Sequence, residues 1–137
     1  MKIVADTNVI ISMLLWGKSL ERLLDLINTR GVVLCFSPQT IDELFRVIRY
    51  PQITKQVQKT KVLIEILLDK LISSSIICYP NKTFDTISED ESDNQILETA
   101  YTAKATAIVS GDKHLLKIKN FIGIPIYSPA QFLNIHK

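Results

Sequence analysis

Four carboxylates stand where an apolar pattern gives them no obvious place. Asp6 interrupts the run Lys2-Ile3-Val4-Ala5-Asp6-Thr7-Asn8-Val9-Ile10-Ile11, with core-type residues close by on both sides. Burying an unpaired charge there is costly. A strand that ends at Asp6 and passes directly into a helix resolves the conflict, because it leaves the carboxylate at the mouth of a sheet, open to water or a metal. Asp112 follows the apolar run Ala107-Ile108-Val109 across Ser110-Gly111, Glu43 lies in the segment opened by Ser37-Pro38, and Asp93 heads a segment carrying Ile96, Leu97, Ala100 and Ala103. If these acids meet, they repel, and without a cation one of them must stay protonated. A divalent ion removes that conflict. All-oxygen ligation suits Mg2+ or Mn2+ and not zinc, and no Cys or His is placed to compete. Such a site lowers the pKa of bound water and stabilises charge on a phosphoryl oxygen.

The elements that must position these acids follow from periodicity. Lys2 to Ala5 reads as a buried strand and Val9 to Trp16 as a helix entered directly from it. Leu20, Leu23, Leu24 and Ile27 fall at i, i+3, i+4 and i+7 of an amphipathic helix closed near Gly31. Val32 to Phe36 is a wholly apolar strand, as expected of one covered on both faces. Ser37-Pro38 supplies a cap hydroxyl and a first-turn proline, and Tyr50-Pro51 ends that helix. A longer helix is expected from about residue 54 to residue 72, since Val62, Leu63, Ile64, Ile66, Leu67, Leu68, Leu71 and Ile72 form a broad apolar face. That face is either sandwiched in the subunit or meets a second copy in a homodimer.

Ile76 to Tyr79 is a third strand, closed by Pro80, and residues 81 to 88 are a polar loop. The acidic run Glu89-Asp90-Glu91-Ser92-Asp93 then enters a helix whose start is open by a turn, because Ser92 with Gln95 and Ser88 with Glu91 both have capping-box spacing. Ala107 to Ser110 is a fourth strand, Lys113 to Lys119 a short helix, and Ile124 to Tyr127 a fifth strand in which Pro125 implies a sheet edge. Ser128-Pro129-Ala130-Gln131 opens the last helix. Strands separated by helices give a three-layer α/β/α architecture with a central parallel sheet of about five strands, in one domain over residues 1–137. Ligands of such sheets bind beyond the carboxyl ends of the strands, where strand order reverses. If the first strand is central, with the second and third to one side and the others opposite, Asp6 and Asp112 flank that crevice.

Composition narrows the classes further. A net charge of +2 is too small for bulk attraction to nucleic acid, so any such role must come from local patches. Cys35 and Cys78 sit in apolar stretches without ligand spacing and read as buried reduced thiols, which suits the cytoplasm. The N-terminus has no signal-peptide pattern and no apolar segment is long enough to span a bilayer, so no membrane association is expected.

With these motifs in place the sequence resembles the PIN-domain ribonucleases found as toxins of prokaryotic toxin-antitoxin pairs. The resemblance runs through Asp6-Thr7-Asn8, through Glu43 in Ser37-Pro38-Gln39-Thr40-Ile41-Asp42-Glu43-Leu44, and through Asp93-Asn94-Gln95-Ile96-Leu97-Glu98-Thr99-Ala100. It continues in Ile108-Val109-Ser110-Gly111-Asp112, followed by Lys113-His114-Leu115-Leu116, and in the closing Ile126 to Leu133. It implies Mg2+- or Mn2+-dependent hydrolysis of RNA by activated water, with Asp6, Glu43, Asp93 and Asp112 as ligands and catalytic groups. It also implies an antitoxin protein as partner. Asn8 and Ser110 would support the site. Serine stands at 110 where the family often has threonine, and the acidic run leaves Asp90 as an alternative to Asp93.

Plainer readings stand beside these. Asp6 can cap the first helix, Asp112 can be a turn residue, and Asp42 rivals Glu43 if the helix phase shifts by one. Glu89, Asp90 and Glu91 read as a solvated helix entry, Glu98 as solvent-facing, and His114 as a local packing or phosphate contact. Arg46, Arg49, Lys113, Lys117 and Lys119 lie on segments leaving the acidic rim, where they could hold an RNA backbone or simply face solvent. Trp16 and Tyr50 could stack on bases but fit a core or interface role better. The competing function is a catalytically silent RNA-binding or protein-interaction module on the same fold. A phosphatase or phosphotransferase ranks last, because Asp6-Thr7-Asn8 lacks the second acid of an Asp-x-Asp nucleophile motif. Single-stranded DNA is not excluded as substrate, since nothing identifies a reader of the 2′-hydroxyl.

Overall fold

The computed structural model describes residues 1–16, 18–60, 64–81 and 90–135. Val62, Leu63, the loop from 82 to 88 and Glu89 lie outside the described residues, as do the side chains of Trp16, Leu20 and Leu24. The elements are β1 (Lys2–Ala5), α1 (Thr7–Trp16), α2 (Lys18–Thr29), β2 (Val33–Phe36), α3 (Pro38–Val47), α4 (Pro51–Thr60) and α5 (Ile64–Ser73). They continue as β3 (Ile76–Ile77), α6 (Glu91–Ala103), β4 (Ala107–Val109), α7 (Lys113–Ile118), β5 (Asn120–Phe121), β6 (Ile124–Tyr127) and α8 (Pro129–Ile135).

The strands form one sheet in the order β3-β2-β1-β4-β6-β5. β1 is central and pairs in parallel with β2 on one side and β4 on the other, so strand order reverses between β1 and β4. Alternation along each strand divides the core. Ile3, Ala5, Leu34, Phe36, Ala107 and Val109 face one side with residues of α1, α2, α3, α5 and α8. Val4, Cys35, Ile108 and Ile126 face the other with Ile96, Leu97 and Ala100 of α6 and Leu115 of α7. Because both faces are covered, these strands carry no polar alternation, which is why they read as continuous apolar runs.

Two helix starts follow the expected chemistry. The Ser37 hydroxyl accepts the Thr40 N–H, and Thr40 Oγ1 accepts the Ser37 N–H at 2.8 Å, a capping box with threonine in the reciprocal place. Ser128 and Gln131 make the same exchange at the head of α8.

Several boundaries depart from expectation. Among the described residues the sheet has six strands, because Asn120–Phe121 folds back antiparallel on Ile124–Tyr127. Its two-residue turn, Ile122-Gly123, has positive φ at both positions (50° and 83°), the hairpin geometry usually supplied by Asn-Gly. Pro125 therefore does not mark an edge: β6 lies between β4 and β5. The missing N–H is tolerated because pairing with β4 begins only at Ile126. The helix expected from residue 54 starts at Pro51, since a proline that ends one helix also suits the first position of the next. It is described as α4 and α5, on either side of residues 61–63. The start of α6 is neither serine register: the Asp90 carboxylate is the cap, accepting the Ser92 N–H at 2.9 Å.

Candidate functional site

Asp6 leaves the end of β1 and caps α1, its Oδ1 accepting the Val9 N–H at 3.0 Å. The capping role and a place in a site are thus compatible, for the second oxygen turns towards β4 and accepts the Ser110 hydroxyl. The Ser110 Oγ also accepts the Asp112 N–H at 2.9 Å. One fully buried serine thereby joins the two acids that end the central strands. Asp112 caps α7 through the His114 N–H at 2.7 Å, so it too is both a turn residue and part of the rim.

Glu43 and Asp93 arrive on helices α3 and α6. A buried hydroxyl contact, Ser37 Oγ to Thr99 Oγ1 at 2.8 Å, ties the head of α3 to the middle of α6, and Thr99 also donates to the Gln95 carbonyl at 2.7 Å. Nearer the rim, the Ser92 hydroxyl donates to Glu43 Oε1 at 2.7 Å. Asp93 is buried on the inner side of α6, while Asp42 is exposed on the outer side of α3, which settles the helix phase in favour of Glu43 as the inward acid.

All four acids line one cleft of about 120 Å³, together with Thr7, Asn8, Val47, Asp90, Ser92 and Ile96. Asp90 thus lines the cleft beside Asp93. Among the described residues, five carboxylates and no basic residue line this space. Burial pushes the Asp6 carboxyl above the ordinary 3.8, and the Asp112 charge adds to it; the bonds from Ser110, Val9 N–H and Gly111 N–H pull the other way without cancelling the rise.

The donor set, carboxylate and hydroxyl oxygens around a charge-rich cleft, matches a hard divalent cation. Among the described residues, however, no three Asp, Glu, His or Cys side chains converge closely enough to hold an ion as they stand. Asp6, Glu43, Asp90 and Asp112 each accept a hydrogen bond from a protein donor.

The expected cations lie outside this cleft. Arg46 is exposed, with Nη2 at 4.0 Å from Glu43 Oε1, and Arg49, Lys113, Lys117 and Lys119 are also exposed. Tyr50 is 45% exposed, so it is not a core residue. Cys35 is buried and Cys78 half-buried, and both thiols are free. Sequence reasoning missed Ser92 as a partner of Glu43, because a serine at a helix entry reads first as a cap. Among the described residues, no helix is long and apolar enough to cross a membrane.

A family model of the PIN domain matches residues 2–114, a span that contains all four acids. An uncharacterized protein of Methanocaldococcus jannaschii is similar over nearly the whole chain, at 31% identity over 141 residues, covering 96% of this chain and 89% of that protein. With the mostly parallel α/β sheet and the acids gathered at its central strand ends, the chain belongs to the PIN domain family, whose members are generally nucleases that depend on divalent metal.

Proposed function

We propose that the protein is a metal-dependent endoribonuclease that hydrolyses RNA phosphodiester bonds with activated water. The observation that carries this reading is the cleft itself: Asp6, Glu43, Asp90, Asp93 and Asp112 face one small space that no basic residue lines among the described residues. Asp6, Asp93, Asp112 and Glu43 would hold Mg2+ or Mn2+. When bound, the ion lowers the pKa of a water molecule and stabilises charge on the phosphoryl oxygen. Ser110 fixes Asp6 relative to Asp112, and Ser92 fixes Glu43 relative to α6. Asn8 presents an exposed amide at the rim. Arg46, Arg49, Lys113 and Lys117 would meet backbone phosphates away from the reacting one.

The toxin role, the antitoxin partner, a cytoplasmic location, a single domain over the whole chain and homodimer formation belong to the same proposal. They rest on the sequence resemblance and on the broad apolar segment from residue 62 to residue 72. A small adjacent gene for a DNA-binding antitoxin would support the partner.

Incubation of the purified protein with a mixed RNA pool tests the activity. Cleavage is expected with Mg2+ or Mn2+, absent in excess chelator, and lost in Asp6→Asn and Asp93→Asn while folding is retained. Equal cleavage in chelator, or by the folded variants, would falsify the mechanism. The competing reading, a silent RNA-binding or interaction module, draws on there being, among the described residues, no group of three acids placed to hold an ion. It predicts RNA retention without cutting under every metal condition.

A further inference from the structure

We propose that a second cavity, beside the acidic cleft, binds the nucleobase next to the scissile phosphate and is where the enzyme reads sequence; this rests on the ribonuclease reading above. The cavity measures about 500 Å³ and is lined by Asn8, Val9, Ser12, Met13, Gly111, Asp112 and Pro129. Asn8 and Asp112 line both spaces, so the two adjoin at the rim. At about 120 Å³ the acidic cleft is small for more than the reacting phosphate and its immediate surroundings. The nucleoside attached to that phosphate must lie outside it. The larger cavity falls within the roughly 300–1,000 Å³ range of small-molecule sites and opens beside the cleft.

Its walls suit a base. Met13, Val9 and Pro129 offer apolar surface for a ring face, while the exposed Asn8 amide and Ser12 hydroxyl can donate to and accept from a base edge. A single-stranded RNA, whose bases are free of pairing, presents both the face and the edge. Gly111 adds an independent point. A side chain there would meet nothing within 4 Å among the described residues, and its backbone is not in the left-handed region, so the described fold does not require glycine. What a side chain would do is occupy the cavity.

The test uses Ser12→Trp, a substitution at an exposed helix position that lines the larger cavity and not the acidic cleft, and Gly111→Ala as a milder filling. Parent and variants, matched by circular dichroism and melting temperature, are given a random-sequence RNA with Mn2+, and the nucleotides flanking each cut are read. For Ser12→Trp, kcat/KM is expected to fall about tenfold or more, as for loss of one base contact, with Mn2+ affinity within about twofold of the parent. The nucleotide preference at one flanking position should weaken in both variants. A Ser12→Trp protein that cuts at the parent's rate with the parent's preference overturns the proposal, including the case in which a protein partner then proves to dock there. A parent that binds Mn2+ and cuts no RNA overturns the ribonuclease reading itself, and the nucleobase site with it.

Discussion

Asp6→Asn should make the metal-free protein more stable while removing its activity. Asp6 is only 8% exposed, and its charged form carries a desolvation cost and the repulsion of Asp112 that its hydrogen bonds do not fully offset. An asparagine keeps an oxygen for the Val9 N–H but turns an amide towards Ser110, so one donated bond, worth about 1 kcal/mol, is lost against a burial penalty of about 1–3 kcal/mol. The net gain at pH 7 is about 1 kcal/mol, or roughly 3–5 °C in Tm for a chain of this length. The pH dependence has a definite sign. The folded-state pKa lies above the ordinary 3.8 of the unfolded chain. Below 3.8 both states are protonated and the penalty is absent; it grows as pH rises towards the folded-state value and is complete above it. The gap between variant and parent should therefore widen from acid to neutral pH. If Asp6 is a ligand as proposed, Mg2+ at about a hundred times its Kd should stabilise the parent by about 2.7 kcal/mol and reverse the order, because the variant would lack that ligand. Thermal melts in chelator and in Mg2+ across this pH range measure both effects. A variant that melts below its parent in chelator at pH 7, or a gap that stays constant with pH, refutes the reasoning.

Ser92→Ala should lower Mn2+ affinity roughly tenfold through loss of the Glu43 contact, while α6 stays capped because Asp90 binds the Ser92 backbone N–H; isothermal titration and a melting curve separate the two. Ser37→Ala and Thr99→Val should each cost about 1–3 kcal/mol in denaturant unfolding, because each strands a buried hydroxyl partner, and the double variant should cost less than their sum. Lys104→Gly should raise stability by about 1 kcal/mol, since Lys104 ends α6 with φ 55° and ψ 48°, where a side chain is strained; an unchanged midpoint would contradict this.

The rim of the sheet was legible because its causes are local. An acid after a buried strand, a serine-proline helix start and apolar runs covered on both faces each leave a mark in a few consecutive residues, and the parallel fold carries them to one end. The hairpin at Ile122-Gly123 was not legible, since its backbone signs are imposed by pairing across β6 and not by an Asn-Gly turn signal. Pro125 misled for the same reason: where a ladder begins is a tertiary property. Asp90 and Ser92 were readable as cap candidates, but their division of labour, carboxylate to backbone and hydroxyl to Glu43, depends on α3 lying alongside α6.

That division of labour also explains how so many acids share a cleft in a folded chain. Ser110 and the Val9 N–H hold Asp6, Ser92 holds Glu43 through Oε1, the His114 N–H holds Asp112 through Oδ1, and the Ser92 N–H holds Asp90 through Oδ1. These donors partly offset the repulsion before any ion is present. They also set a cost for the ion, since a carboxylate that rotates to ligate must keep or replace its bond. Each carboxylate oxygen has two lone pairs, so bond and ligation are compatible where the second oxygen of Glu43 or Asp112 turns into the cleft. Asp6 differs, because both its oxygens already accept bonds and burial raises its pKa. Under the proposed function a cation would offset that burial cost, at the end of the central strand β1.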